Sequence, residues 1–174
     1  MADIMPLKLI TKTIITDDLC ILHLCADSPL PEFTPGAHIS LETPFGWRNY
    51  SLANLSDGKS LQLAIKAERE GRGGSVWIND SLEQGMIINC QPPSNSFDLK
   101  EADDYLLIAG GIGITPILSM ARHLDYIGKG YTLIFCVRDI DAAPLYDEVS
   151  TLNGNIIIHA DNGLEDNFFD FWPL

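Results

Sequence analysis

The fold is decided by the stretch YLLIAGGIGITP at residues 105–116. Its first five residues, Tyr105–Ala109, predict an apolar strand, and the glycines that follow predict a tight turn. Thr115 and Pro116 have the residue types of a helix N-cap and of the first helical position. A dinucleotide-binding turn needs this context of strand, glycine turn and helix, although Pro116 replaces the last glycine of a strict GxGxxG. The stretch favours a nucleotide site, but a strand-to-helix turn without a ligand has the same pattern.

Downstream of this stretch the chain alternates between helical and strand patterns. Apolar residues at helical spacing follow the turn, namely Ile117, Met120, Ala121 and Leu124. A second strand is predicted at Tyr131–Val137, a short helix at Pro144–Ser150 and a third strand at Asn155–His159. Strands that alternate with helices predict a parallel sheet with right-handed crossovers, as in Rossmann-like domains.

Upstream, the sequence is a series of short β-type runs separated by turn residues. The predicted strands are Leu7–Thr16, Leu19–Ala26, Ala37–Leu41, Arg48–Ala53, Leu61–Lys66 and Met86–Gln91. This rhythm is typical of an antiparallel barrel or sandwich. We therefore expect a mixed fold, with a β-barrel at residues 1–100 and a short α/β half-domain at 103–174.

Charge restricts the partners. The 174 residues include 11 basic and 24 acidic side chains, a formal net charge of −13. This excess of carboxylates argues against nucleic acid and anionic membranes. We read no signal peptide and no membrane segment, so a cytoplasmic location is expected. Cys20 and Cys25 are spaced as in an iron–sulfur motif, but Ser28 stands where the third cysteine belongs, so core cysteines and no metal site are predicted.

Two further motifs could carry ligand chemistry. Gly71-Arg72-Gly73-Gly74-Ser75 precedes a short predicted helix with Ser75 near its N-cap. Glycine amides, a helix N-terminus and one arginine suit a phosphate, although a solvated loop is the plain alternative.

The other motif is RNYSLAN at residues 48–54. On a strand, Arg48, Tyr50 and Leu52 share one face, while Asn49 and Ser51 lie on the other. The motif suits a flat, polar, anionic ligand, and it is also compatible with an amphipathic strand that carries a surface tyrosine.

Taken in order, the three motifs resemble the ferredoxin–NADP reductase superfamily, and most of all its phthalate dioxygenase reductase and vanillate O-demethylase reductase group. The likeness runs from about Phe33 to Asp161. It implies an N-terminal Greek-key flavin barrel followed by a nicotinamide-nucleotide half. It also implies FMN rather than FAD, and electron transfer from NADH or NADPH to an iron–sulfur protein or oxygenase.

The resemblance assigns roles by position. Tyr50 would lie against the isoalloxazine and Ser51 near flavin N5, which makes them the catalytic candidates, with Leu52 beside them. The flavin phosphate would be bound by Arg48, Arg72, Gly73, Gly74 and Ser75. The backbone of Ile65, Lys66 and Ala67 would line the other flavin edge. The nicotinamide and diphosphate would face Gly111, Gly113 and Thr115. The adenosine ribose would face Arg138 and Asp139. Because Arg138 favours a 2′-phosphate and Asp139 opposes one, the choice between NADH and NADPH stays open.

The sequence also departs from this family. We expect the nucleotide half to be truncated and to lack a [2Fe–2S] domain, since no cysteine follows Cys136. Two alternatives remain at this point: a flavin-binding or nucleotide-sensing module without full reductase activity, or a subunit that needs a partner chain. His159 is a further site candidate. The aromatic end, residues 167–174, is expected to pack over a sheet edge or to be disordered, and otherwise to cover the flavin or a partner surface. The oligomeric state is not predicted.

Overall fold

The computed structural model describes residues 4–172. In this part of the chain there are nine strands and three α-helices. The antiparallel strands are β1 (Met5–Thr16), β2 (Leu19–Cys25), β3 (His38–Thr43), β4 (Gly46–Ser51), β5 (Ser60–Lys66) and β6 (Ile87–Cys90). The parallel strands are β7 (Leu106–Gly110), β8 (Thr132–Val137) and β9 (Asn155–Ala160). The helices are α1 (Gly74–Ser81), α2 (Ile114–Tyr126) and α3 (Tyr146–Ser150).

The first six strands form one antiparallel sheet in the order β4-β3-β6-β1-β2-β5. Strand β6 returns between β1 and β3, as in a Greek key. The sheet curls into a nearly closed barrel filled by leucine and isoleucine side chains from β1, β2, β3, β5 and β6, and Tyr50 of β4 packs against them. Its two edge strands, β4 and β5, do not pair with each other within residues 4–172. The barrel therefore has an open side, and α1 packs there against both edges.

Helix α1 begins at a glycine and not at a serine cap. Gly73 holds the cap position with φ +82°, a left-handed conformation that favours glycine. Ser75 lies two residues further on, and its hydroxyl accepts a 3.0 Å hydrogen bond from the Glu68 backbone N–H. At the other end of the helix, Lys12 Nζ donates to three carbonyl oxygens, those of Ile78 at 2.9 Å, Asn79 at 2.6 Å and Leu82 at 2.8 Å. The lysine thus fixes the C-terminal end of α1 on strand β1.

The second half is a three-stranded parallel sheet in the order β7-β8-β9, as the alternating pattern predicts. The predicted helix face is also confirmed, because Ile117, Met120, Ala121 and Leu124 are all buried. The predicted N-cap at Thr115 is wrong. A 3-10 turn at Gly111–Gly113 runs directly into α2, so the helix already begins at Ile114 with Gly113 as its cap.

One hydrophobic cluster joins the two halves. Ile21, Ala53 and Ala64 of the barrel are buried together with α2, β7 and β8. Cys20 and Cys90 are core residues, and burial raises the pKa of each thiol to about 11. No helix in the described chain is long and apolar enough to span a membrane. The boundary between the halves near residues 97–103 stays a prediction.

Candidate functional site

A cavity of about 500 Å³ lies at the open side of the barrel. It is bounded by β4, by the end of β5, and by the loop that leads into α1. The lining residues are Trp47, Arg48, Asn49, Tyr50, Lys66, Glu68, Gly71, Arg72, Gly74 and Ser75. Two motifs that are separate in sequence, RNYS and GRGGS, therefore meet in one site. The volume is in the range of small-molecule sites, roughly 300–1,000 Å³.

This first cavity is cationic in an acidic chain. Arg48, Lys66 and Arg72 line it, against the single carboxylate of Glu68. Arg72 is exposed, and within the described residues its guanidinium makes no hydrogen bond or ion pair. A guanidinium beside a helix N-terminus gives this point of the cavity the positive character that favours an anion.

Arg48 is held in place by the backbone around it. Its Nη1 donates to the Trp47 carbonyl at 2.8 Å, and its Nη2 donates to the carbonyls of Phe45 at 2.7 Å and Arg72 at 3.2 Å. Gly74 lies directly under this side chain, because a Cβ there would approach Arg48 Cγ to 2.7 Å. The arginine and the start of α1 thus form one packed unit.

Tyr50 and Arg48 project from the same face of β4. In the register with β3 they stand opposite Ile39 and Leu41, which both belong to the barrel core. Tyr50 packs partly against that core, and burial raises the pKa of its phenol to about 12. Its ring thus forms a rigid, partly apolar wall of the first cavity.

The remaining residues predicted for the flavin site are placed differently. Ser51 is half-buried at the end of β4 and is not among the residues that line the cavity. Leu52, Ile65 and Ala67 are buried, so their side chains belong to the interior. The N–H of Leu52 donates to Ala37 and that of Ala67 to Asp18. The side chains of Leu52, Ile65 and Ala67 therefore do not line the first cavity.

A second cavity, of about 360 Å³, lies at the carboxyl ends of β7 and β8. It is lined by Thr16, Asp18, Leu19, Lys66, Gly111, Ile112, Val137, Arg138, Asp139, Ala142, Ala143 and Pro144. Ligands of open α/β sheets bind at this edge. The predicted residues Gly111, Arg138 and Asp139 meet here. Gly113 is exposed nearby, whereas Thr115 is buried and its hydroxyl donates to the Ile112 carbonyl at 3.2 Å.

Lys66 lines both cavities, so the two sites adjoin. Its Nζ lies 3.7 Å from Asp18 Oδ2 in a partly exposed ion pair. The hydroxyl of Thr16 donates to Asp18 at 2.6 Å and, with Lys66, lowers the pKa of that carboxyl. The sequence did not indicate Asp18 and Thr16 as site residues, because its patterns place Asp18 in a turn and Thr16 at the end of a strand. The pairing of Leu19 with Lys66 in the β2–β5 register brings them to the site.

His159 and the aromatic end lie outside both cavities. The His159 ring meets Phe169 edge-on with centroids 5.4 Å apart, and Phe169 in turn contacts Phe171. Because His159 belongs to the edge strand β9, this segment packs beside a sheet edge. Trp172 is 94% exposed. Residues 173 and 174, which the prediction for the aromatic end included, lie outside the described residues.

Comparison with known proteins finds relatives over nearly the whole chain, although no protein-family model matches. The chain is 38% identical to a phthalate 4,5-dioxygenase oxygenase reductase subunit of Pseudomonas putida, over 97% of this chain and 54% of that protein. It is 37% identical to a phthalate dioxygenase reductase of Burkholderia cepacia, over 97% and 55%. The solved structure of a phthalate dioxygenase reductase superposes with a TM-score of 0.92 at 35% identity, covering 98% of this chain and 56% of that one. The chain thus spans about half the length of these relatives.

Proposed function

Because the chain belongs to the ferredoxin reductase-like oxidoreductases related to phthalate dioxygenase reductase, we propose that it binds FMN in the first cavity and oxidises NADH or NADPH bound at the second. The observation that carries this proposal is that the two cavities adjoin at Lys66. The first cavity is cationic and lies at the N-terminus of α1. The second lies at the carboxyl edge of the parallel sheet. A hydride donor and its acceptor need such adjoining sites.

The first cavity fits the phosphate of a flavin mononucleotide. Arg72 offers a free guanidinium, and the amides at the start of α1 add partial positive charge. Arg48 and Gly74 pack together at the same point, so the cradle is preformed. These features support FMN over FAD, because they suit a terminal phosphate next to the barrel edge. FMN ends in such a phosphate, whereas in FAD the phosphate continues into the adenosine part.

The flavin ring would lie in the gap between β4 and β5. Unpaired strand edges present free N–H and C=O groups, which match the polar edge of an isoalloxazine. Tyr50 would cover one face of the ring, and Ser51 would place its hydroxyl near the atom that receives hydride. Bound flavin supplies the redox chemistry, since it accepts two electrons together and releases them singly. The contribution of the protein is orientation and exclusion of water.

The nucleotide would occupy the second cavity. Gly111 and Gly113 allow close approach of a diphosphate to the turn before α2, and Thr115 shapes that turn through its bond to Ile112. Arg138 and Asp139 would meet the adenosine ribose, the arginine favouring a 2′-phosphate and the aspartate opposing one. Residues 103–174 carry only 3 basic against 11 acidic side chains, so long-range attraction of the anionic dinucleotide would be weak.

The acceptor of the electrons would be an iron–sulfur protein or an oxygenase. This part of the proposal is carried over from relatives whose names describe them as reductase subunits of oxygenase systems.

Absorbance and fluorescence titration of the purified chain with FMN, and separately with FAD, test the proposal. Retention of FMN with tighter binding than FAD is expected. Stopped-flow mixing of the loaded chain with NADH and with NADPH should then bleach the flavin absorbance. A chain that retains no flavin overturns the proposal. Flavin that is retained but not bleached by either nucleotide overturns the reductase activity and leaves a binding module.

A further inference from the structure

A polar network crosses the interface between the two halves. Arg122 on α2 donates from Nη1 to the Ala53 carbonyl at 2.9 Å and to Gln62 Oε1 at 2.8 Å. The amide of Gln62 completes the chain by donating to Glu148 Oε1 on α3 at 3.1 Å. Three hydrogen bonds thus connect the barrel to α2 and α3. Two of them come from the Arg122 guanidinium, and the third runs from Gln62 to Glu148.

The network lies at the edge of the hydrophobic cluster that the halves share. Gln62 is only 6% exposed, and Ala53 is fully buried. Burial lowers the pKa of Arg122, while the carboxylate of Glu148 opposes this shift. Pairing offsets part of the cost of burying a guanidinium, and the two bonds of Nη1 favour one placement of α2 against the barrel.

Each end of the network is connected through the chain to an element that borders one of the two cavities. Ala53 comes two residues after the end of β4, the strand that carries Tyr50. Arg122 belongs to the helix that begins immediately after the Gly111–Gly113 turn. Nearer the start of the same helix, Ser119 accepts a 3.0 Å hydrogen bond from the Gly36 N–H of the barrel. Helix α2 is therefore fixed to the barrel at two points along its length.

We propose that Arg122 is a positioning residue, which holds the nucleotide turn at the correct distance from the flavin wall through Ala53 and Gln62. The inference rests on the proposed function, because the distance matters only if hydride passes between the two cavities. Arg122 contacts neither cavity. Its removal should therefore affect the transfer step and not the binding of flavin.

The kinetic test compares Arg122→Met with a control variant, Lys129→Met. The control also removes one positive charge, but from an exposed residue just after α2. Both variants should bind FMN with the affinity of the unmodified chain, which also shows that the barrel is folded. At saturating NADH or NADPH, Arg122→Met should reduce flavin about 10- to 100-fold more slowly, since a displacement of about 1 Å costs this much in rate. Lys129→Met should keep the original rate. A rise in KM with an unchanged limiting rate would overturn the proposal.

A second measurement does not depend on turnover. Nitroxide labels at Lys59 on the barrel and Tyr126 on α2, in a background with Cys25 and Cys136 replaced by serine, report the distance between the halves by pulsed electron resonance. One narrow distance distribution is expected in the parent and in Lys129→Met, and a broader or shifted one in Arg122→Met. The double variant Arg122→Met/Gln62→Leu replaces the polar pair by apolar groups and should fold while showing the same broadening.

The two proposals fail separately. If neither nucleotide bleaches the flavin of the unmodified chain, the reductase activity is overturned, and the distance distributions alone decide whether Arg122 positions the halves. If the distributions of Arg122→Met and its parent coincide, the role of Arg122 is overturned even in an active reductase.

Discussion

The side chain of Arg48 crosses the backbone of Gly74 so closely that a Cβ at position 74 would lie 2.7 Å from Cγ of Arg48. A side chain on β4 and the first residue of α1 are therefore adjusted to each other. This contact joins two motifs that are 26 positions apart in the sequence.

Gly74→Ala should weaken FMN binding more than it lowers stability. The methyl group would displace the Arg48 side chain and break its bond to the Arg72 carbonyl, which would open the proposed phosphate cradle. The matched control is Gly130→Ala, because a Cβ there meets nothing within 4 Å. Fluorescence titration with FMN, alongside thermal unfolding without flavin, separates the two effects. Equal FMN affinity in both variants would show that the contact does not shape the site.

Arg72→Ala should lower FMN affinity by about tenfold. A charge-assisted hydrogen bond contributes roughly 1.5–3 kcal/mol, and the exposed position of Arg72 argues for the lower end. Arg69→Ala is the control, since Arg69 is ion-paired with Asp80 at 3.3 Å and does not line the cavity. The difference should shrink at high salt because the solvent screens an exposed charge. An equal loss of FMN affinity in both variants would show that either substitution disturbs the loop, and would contradict a specific role of Arg72.

Ser51→Ala should slow flavin reduction more than it weakens flavin binding. Ser51 is half-buried and ends β4 beside the proposed ring position, where its hydroxyl would orient the reacting atoms. Stopped-flow reduction by NADH or NADPH and equilibrium FMN titration give the two quantities. Ser56→Ala, in the loop that follows β4, serves as the control. An unchanged reduction rate in Ser51→Ala would remove this serine from the catalytic residues.

Tyr50 should make the chain sensitive to alkaline pH. Burial raises the pKa of its phenol from the ordinary value of 10.0 to about 12, so folding favours the neutral form. This contribution to stability is complete below pH 10 and is lost as the pH rises toward 12. Tyr50→Phe should lose less stability over this interval than the parent, measured by chemical unfolding at each pH. It should also remove one late-titrating phenol from the ultraviolet titration, and an identical titration would contradict the assignment.

Local patterns predicted the elements well, because a strand of alternating leucines or a helical face at Ile117–Leu124 is determined by near neighbours. The helix starts were predicted poorly. Thr115 has the right residue type for a cap, yet the 3-10 turn before it begins the helical conformation earlier. The choice of cap depended on how the glycines fold and not on which residue has a hydroxyl.

The candidate site was predictable where motifs mark it and not where tertiary register creates it. Gly74, Arg72 and Arg48 belong to recognisable patterns and meet in one cavity. Asp18 belongs to a turn, and the pairing of Leu19 with Lys66 between β2 and β5 brings it to the second cavity. Gln62 and Arg122 belong to a strand and a helix face, and nothing in their local sequence shows that they bond to each other.

The three bonds from Lys12 to the end of α1 also bear on the order of folding. They span 66 to 70 positions of sequence, so the helix that begins at the proposed phosphate cradle is anchored to strand β1. We expect contacts of such long range to form late, because the intervening loop must first be closed. The anion site would then arise only as the barrel closes. Flavin would add to the lifetime of the finished fold by slowing its unfolding, and it would not accelerate the search for that fold.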